Sequence, residues 1–186
     1  MVMPMATPED YNKISPLRKV PALQDGDLTL CDSSVICEYL DEAYPERATM
    51  PASPADRAKA RWLEEYADSK LSEVASGLFF EVVLKPMMMK QASDADKVKA
   101  LTEDKIPAQL DYLETQVPEK DFVFGATAMV VDIALITHFI NASYAGFIVD
   151  AQRWPIFAAY MQRLLDLPNM KKRLAHEAQV MQSMSK

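Results

Sequence analysis

The sequence of 186 residues predicts a small α/β unit followed by an all-α unit, and three observations carry that prediction. Two short apolar runs near the N-terminus meet at an Asp-Gly pair, the signature of a tight hairpin turn. From Pro45 to Ser53 the chain is rich in proline and small residues and has no periodicity, which marks a linker. Beyond it, apolar residues recur at helical spacing as far as the polar tail. The expected organisation is therefore an α/β domain over 1–45, a linker over 46–54 and an all-helical domain over 55–186.

Each element has a local reason. The hairpin spans VPALQDGDLTLCD, Val20 to Asp32, with Gln24-Asp25-Gly26-Asp27 between its arms. Ser33 and Ser34 then lead into VICEYLDEAY, where Val35, Ile36, Tyr39 and Leu40 share a helical face and Pro45 supplies the stop. Ser53 is a good N-cap with Pro54 at the first helical position. From there one long helix is expected as far as Pro86, with Ala58, Trp62, Tyr66, Val74, Leu78 and Val82 turned inward. A second is expected over Ser93 to Val117, with Val98, Leu101, Leu110 and Leu113 inward and a break near Ile106 because Pro107 removes a backbone donor. The stretch Met129 to Ile140 is apolar nearly all round, so its helix belongs at the centre of the bundle. Two more helices follow, from Trp154-Pro155, carrying Phe157, Tyr160, Met161 and Leu164, and from Pro168.

Composition narrows the function. About half of the residues are apolar and the formal net charge is −7, with no basic run longer than Lys171-Lys172-Arg173, so nucleic acid is not an expected partner. No apolar stretch reaches the ~20 residues of a membrane span, and the first residues lack the pattern of a secretory signal, so a cytoplasmic protein is expected. Cys31 and Cys37 are too few for a disulfide scaffold and are spaced unlike metal ligands, so both are expected reduced and no metal is expected. His138 and His176 each stand alone and read as satisfied structural residues. With four glycines and no P-loop, dinucleotide fingerprint or G-x-S-x-G, most familiar reaction classes lose support.

The residues NKISPLRKVPALQDGDLTLCDSSVICEYLDEAYP closely resemble the N-terminal domain of glutathione transferases. GATAMVVDIAL and WPIFAAYMQRLLDLPNMKKRL likewise resemble that family's C-terminal domain, so the likeness covers nearly the whole chain. It implies a thioredoxin-like domain followed by a helical bundle, a cis Val20–Pro21 peptide, glutathione as co-substrate, a cytoplasmic homodimer and a role in detoxification. The segment matched is the family's third and fourth strands and third helix. Its opening strand, helix and strand, which hold the thiol-activating tyrosine, serine or cysteine, have no counterpart here: MVMPMA is expected to be the tail of the second strand and TPEDYNKISP the second helix. The fold expected is thus an incomplete thioredoxin-like domain, and no catalytic residue is assigned; Tyr11 is the nearest phenol, but it falls in the second-helix segment.

The chemistry of the matched stretch suits the ligand. A peptide-like molecule offers an amide that an exposed strand edge can pair with, and a cis X-Pro bond turns outward the N–H and C=O of the preceding residue, here Val20 ahead of Pro21. The γ-glutamyl end carries an ammonium and a carboxylate together. Asp32 suits the ammonium, while the Ser33 hydroxyl, free N–H groups and the helix dipole suit the carboxylate. The resemblance also places Lys19 near the glycyl carboxylate. The resemblance further implies that an apolar electrophilic second substrate meets the long helix, where Trp62, Tyr66, Phe79 and Phe80 are candidates, followed by the adaptable methionines of KPMMMKQ.

The leading expectation is a transferase that joins the glutathione thiol to an electrophilic small molecule. A non-catalytic scaffold of the same fold and another glutathione-dependent isomerase, lyase or reductase stand beside it. A further departure concerns the central helix: related chains place serine or threonine at its N-cap, where Met129 stands here, while Asp132 is kept.

Overall fold

The computed structural model describes residues 9–16 and 18–184. The chain divides into two compact units, Met1–Arg57 and Ala58–Lys186.

In the first unit, β1 (Ala22–Asp25) and β2 (Leu28–Cys31) form an antiparallel hairpin in register Ala22↔Cys31 to Asp25↔Leu28. Gly26 turns the chain at φ +58°, a conformation that only glycine adopts without strain. Helix α1 (Ser33–Ala43) leaves β2 at once, and its N-cap is Asp32, not the serines that follow: the Asp32 carboxylate accepts from the N–H groups of Ser34 at 3.0 Å and Val35 at 3.2 Å. Two phenols of α1 and its end, Tyr39 and Tyr44, donate to Asp25 Oδ2 at 2.8 and 2.6 Å, tying the helix to the hairpin turn. Their hydrogen bonds, that of Tyr44 foremost, hold the Asp25 carboxyl below its ordinary value.

Buried Asp41 organises the linker. It accepts from the N–H groups of Thr49 and Met50 and from the Arg57 guanidinium at 2.9 Å. Burial alone would raise its pKa, but these bonds together outweigh that and lower it, so the carboxylate stays charged. The reading of residues 1–6 as the end of a strand lies outside the described residues. Of the expected second helix, the structure shows one 3₁₀ stretch, Glu9–Lys13.

The second unit begins within the long helix, which runs as α2 (Pro54–Tyr66), a π-helical stretch Ala67–Ser76, α3 (Gly77–Phe79) and a second π stretch Phe80–Met89. Ser53 caps it through the Asp56 N–H. Two expectations are corrected here. Its inner face is Ala60, Leu63, Ala67, Leu71, Val74 and Leu78, all fully buried, whereas Ala58 is exposed and Trp62 is 57 % exposed. The Ala/Leu stripe lets neighbouring helices approach, while the aromatic rings lie on another face. Nor does Pro86 end the helix: it sits inside the second π stretch, three residues short of the end at Met89.

Asp94 starts the next helical run by accepting from the Lys97 N–H, giving α4 (Ala95–Ala100), a π turn Leu101–Lys105 and α5 (Ile106–Leu113). The expected break near Ile106 is not seen as one: the run is helical throughout, and a wide turn closed by the Ile106 N–H on the Leu101 carbonyl lies just ahead of Pro107. Glu81 locks this run to the long helix. Its side chain is 2 % exposed and meets the ammonium groups of Lys85 and Lys97 and the Asp94 N–H. The Lys85 hydrogen bond leads in holding its pKa down to about 2.

Helix α6 (Val130–Tyr144) packs along the first π stretch and buries Val131, Asp132, Leu135, Ile136, Phe139 and Ala142, leaving Ile133 and Thr137 on its outer side. Met129 supplies no capping oxygen, so the Asp132 N–H returns to the Met129 carbonyl at 3.1 Å. A hydroxyl at that position would satisfy a first-turn donor. Met129→Ser is therefore expected to stabilise the protein by about 1 kcal/mol. Thermal unfolding reads this directly, and a melting temperature that does not rise would refute it. Helices α7 (Pro155–Leu165) and α8 (Pro168–Met184) complete the unit, with Phe157, Tyr160 and Leu164 of α7 fully buried.

Candidate functional site

The register of the hairpin decides which residues meet. Ala22 pairs with Cys31 at the open end of the two strands. Pro21 and Asp32 are the residues that directly follow this last pair outward, each at the point where its strand ends. The Val20–Pro21 peptide is cis, as the resemblance implies. Val20 is 43 % exposed, and its backbone N–H and C=O make no hydrogen bond among the described residues.

Asp32 and Ser33 are both exposed. Asp32 adopts φ +93°, a conformation a non-glycine residue takes only when its surroundings impose it, and such strain gathers where geometry serves function. Its Oδ1 caps α1, while Oδ2 has no partner among the described residues. The Ser33 N–H and hydroxyl are equally unengaged, at the positive end of the α1 dipole. One carboxylate oxygen and two donors thus face solvent at adjacent residues, the pattern that an amino-acid head group with its ammonium and carboxylate requires.

Ser15 fixes the loop that leads to Val20, a role the sequence did not reveal. It is fully buried, its hydroxyl donating to the Lys19 carbonyl at 2.9 Å and accepting from the Lys19 N–H at 3.1 Å. Tyr11 adds a second hydrogen bond to that carbonyl at 3.0 Å, so its phenol holds the loop. The Cys31 thiol donates to the Ile14 carbonyl at 2.7 Å, pinning the same segment to β2. A serine directly before Pro16 was the only signal, and it reads equally well as an ordinary turn. Lys19 itself is exposed, with no partner for its ammonium among the described residues.

The four residues expected to meet an electrophile fall into two groups. Trp62 and Tyr66 of α2 stack with Tyr112 of α5: ring centroids are 6.3 Å apart for Trp62–Tyr66 and 4.9 Å for Tyr66–Tyr112. Tyr66 donates to Gln109 Oε1 at 2.5 Å, and burial pushes its phenol up to about 12. Phe79 lies instead against Tyr144 of α6 at 6.2 Å, and neighbouring Phe80 is 41 % exposed. No group of side chains among the described residues could hold a metal ion, and no described helix is long and apolar enough to cross a membrane.

The hairpin with its cis-proline loop and the helices that follow are consistent with a thioredoxin-like domain followed by a helical one. A family profile for the glutathione S-transferase N-terminal domain matches residues 1–48, and one for the C-terminal domain matches 96–163. The chain belongs to the glutathione S-transferase family, whose members take glutathione as substrate. It is 26 % identical over 173 residues to a glutathione S-transferase of Hyoscyamus muticus, covering 91 % of this chain and 80 % of that one. A stretch of 57 residues, 31 % of this chain and 23 % of the relative, is 42 % identical to a probable maleylacetoacetate isomerase of Drosophila melanogaster. The crystal structure of a glutathione S-transferase from Rhodospirillum rubrum F11 superposes with a TM-score of 0.78 at 25 % identity, over 90 % of this chain and 75 % of that one.

Proposed function

We propose that this chain binds glutathione through Val20, Asp32 and Ser33 and that its protein catalyses attack of the glutathione sulfur on an electrophilic small molecule. What supports the reading is the helix start, with a free carboxylate oxygen on Asp32 and free donors on Ser33, together with the cis Val20–Pro21 peptide, whose Val20 backbone makes no hydrogen bond among the described residues. In this reading the Val20 N–H and C=O pair with the cysteinyl backbone, Pro21 fixes the edge, and Asp32 Oδ2 meets the γ-glutamyl ammonium. The Ser33 N–H and hydroxyl hold the neighbouring carboxylate, and Lys19 attracts the glycyl one. Ligand binding at both ends fixes the thiol between them. In the transfer step the thiol loses its proton, a sulfur–carbon bond forms, and the electrophile's leaving group departs with the bonding pair. Trp62, Tyr66, Phe79 and Phe80 are the apolar surfaces offered to that electrophile, and a cytoplasmic homodimer is the working form.

Asp32 also caps α1, so alanine would remove two roles at once. Asp32→Asn keeps the capping oxygen and removes the charge. Calorimetric titration of glutathione is expected to show saturable binding, weakened roughly 10- to 100-fold in Asp32→Asn as a charge-assisted hydrogen bond is lost. Equal affinity in the two proteins would leave Asp32 a cap alone and end this reading.

A second reading draws on the stretch shared with the probable maleylacetoacetate isomerase. There the thiolate would add to a conjugated double bond and leave again after rotation. Product analysis separates the two: a transferase consumes one glutathione per turnover, whereas an isomerase returns it unchanged.

A further inference from the structure

The backbone of Lys19, the residue ahead of Val20, is fully engaged. Its N–H donates to Ser15 Oγ at 3.1 Å, and its carbonyl accepts from the Ser15 hydroxyl at 2.9 Å and from the Tyr11 phenol at 3.0 Å. A carbonyl oxygen has two lone pairs, and both are in use. Fully buried Ser15 is itself held from both sides, its N–H donating to the Tyr11 carbonyl at 2.8 Å and its carbonyl accepting from the Arg18 N–H at 2.9 Å. Tyr11, Ser15 and Lys19 thus form one closed hydrogen-bonded cluster.

Val20 is the contrast, since neither of its backbone groups has a partner among the described residues. Two properties of the chain account for the difference. Val20 precedes a proline, which disfavours the helical region and leaves it extended. In extended chain the N–H and C=O of successive residues point to opposite sides. Holding both groups of Lys19 towards Ser15 therefore turns both groups of Val20 the other way. It also removes a competitor: a ligand amide could pair one residue out of step with an open Lys19, and the engaged one offers it nothing.

We propose that Ser15 and Tyr11 are positioning residues for glutathione, which present Val20 alone to the cysteinyl amide and fix the register in which the tripeptide lies. This role rests on the glutathione reading. Both hydroxyl hydrogens are spent on Lys19, so the two side chains act through the backbone and not on the ligand.

Calorimetric titration into the full chain compares glutathione with an analogue methylated on the cysteinyl nitrogen, which cannot donate to the Val20 carbonyl. In the parent the analogue is expected to bind about tenfold more weakly, the size of one hydrogen bond. Ser15→Ala should weaken glutathione about tenfold and Tyr11→Phe about threefold, while Ser15→Thr, which keeps the hydroxyl, stays within about twofold of the parent. The deciding result is the combination. Ser15→Ala with the methylated analogue should fall about tenfold below the parent with glutathione, because both changes remove the same bond, whereas independent effects would multiply to about a hundredfold. A multiplied loss would make Ser15 a purely structural residue and overturn the proposal. Equal glutathione affinity in the parent, Ser15→Ala and Tyr11→Phe, or a parent that binds both ligands alike, overturns it too. Tyr11→Phe removes one partly exposed hydroxyl and carries the same comparison should Ser15→Ala fail to fold. A parent that does not bind glutathione at all ends the glutathione reading itself, and this role with it.

Discussion

Asp132→Ala is expected to destabilise the protein by about 4 kcal/mol, the cost of leaving several buried donors without an acceptor, and to lower its melting temperature by about 10 °C. The carboxylate is fully buried and joins three separate segments. It accepts from the Met129 N–H at 2.7 Å, the Val123 N–H at 2.9 Å and the Tyr160 hydroxyl at 2.6 Å. Alanine leaves all three donors without a partner in a site closed to water. Asp132→Asn retains an oxygen for two of them and should fall between parent and alanine. Differential scanning calorimetry measures both, and an alanine variant melting within 2 °C of the parent would be inconsistent with this account.

The second large effect is acid sensitivity centred on His138. Its Nδ1 lies 2.9 Å from Ser76 Oγ, which in turn accepts from Asn141 at 3.3 Å, so the three side chains form one hydrogen-bonded chain. Burial lowers the His138 pKa from 6.5 to about 4. The unfolded chain therefore takes up a proton near pH 6.5 that the folded chain refuses until about pH 4. Stability from this residue is complete above the first value and declines by about 3 kcal/mol as the pH falls to the second. His138→Asn places an acceptor near Nδ1 and cannot ionise, so its stability should change far less over that window. Urea unfolding at intervals between pH 7 and 4 tests the contrast, and parallel curves for the two proteins would contradict it. Glu81 acts in a different window: its depressed pKa withdraws stability only as the pH falls from 4.5 towards about 2.

What could be read from the sequence was chemistry confined to neighbours along the chain. The Asp25-Gly26 turn, the Ser53-Pro54 start, the prolines at positions 155 and 168 and the Asp132 box each act within one turn, and each is found where the residues imply. The hairpin and helix start that form the candidate glutathione site belong to this group. Periodicity misled in the first part of the long helix, where Ala58 and Trp62 were expected inward, while Val74 and Leu78 farther on are buried as expected. The remaining determinants join distant residues: Ser15 beneath the Val20 loop, Glu81 between Lys85 and Lys97, and Ser76 against His138. None shows in sequence, because a buried polar residue is recognised only by the partner that folding brings to it.

The contacts between the α5 end and α7 share a property that bears on how the second unit forms. Asp111 takes the Arg153 guanidinium and the Trp154 indole N–H, Glu114 takes the Ile156 and Phe157 N–H groups, and Arg163 takes the carbonyls of Pro118, Glu119 and Asp121. These partners are separated by 42 to 45 positions at every point, so the two segments advance in step like the teeth of a zip. Bringing together the ends of a loop that long costs about 3 kcal/mol of chain entropy, but it is incurred once, by whichever contact forms first. Each later tooth finds its partner already at hand. The latch should consequently close or open as a whole, and cutting the chain anywhere inside the loop would give two pieces that must meet in solution before α7 acquires the carboxylate that completes its first turn.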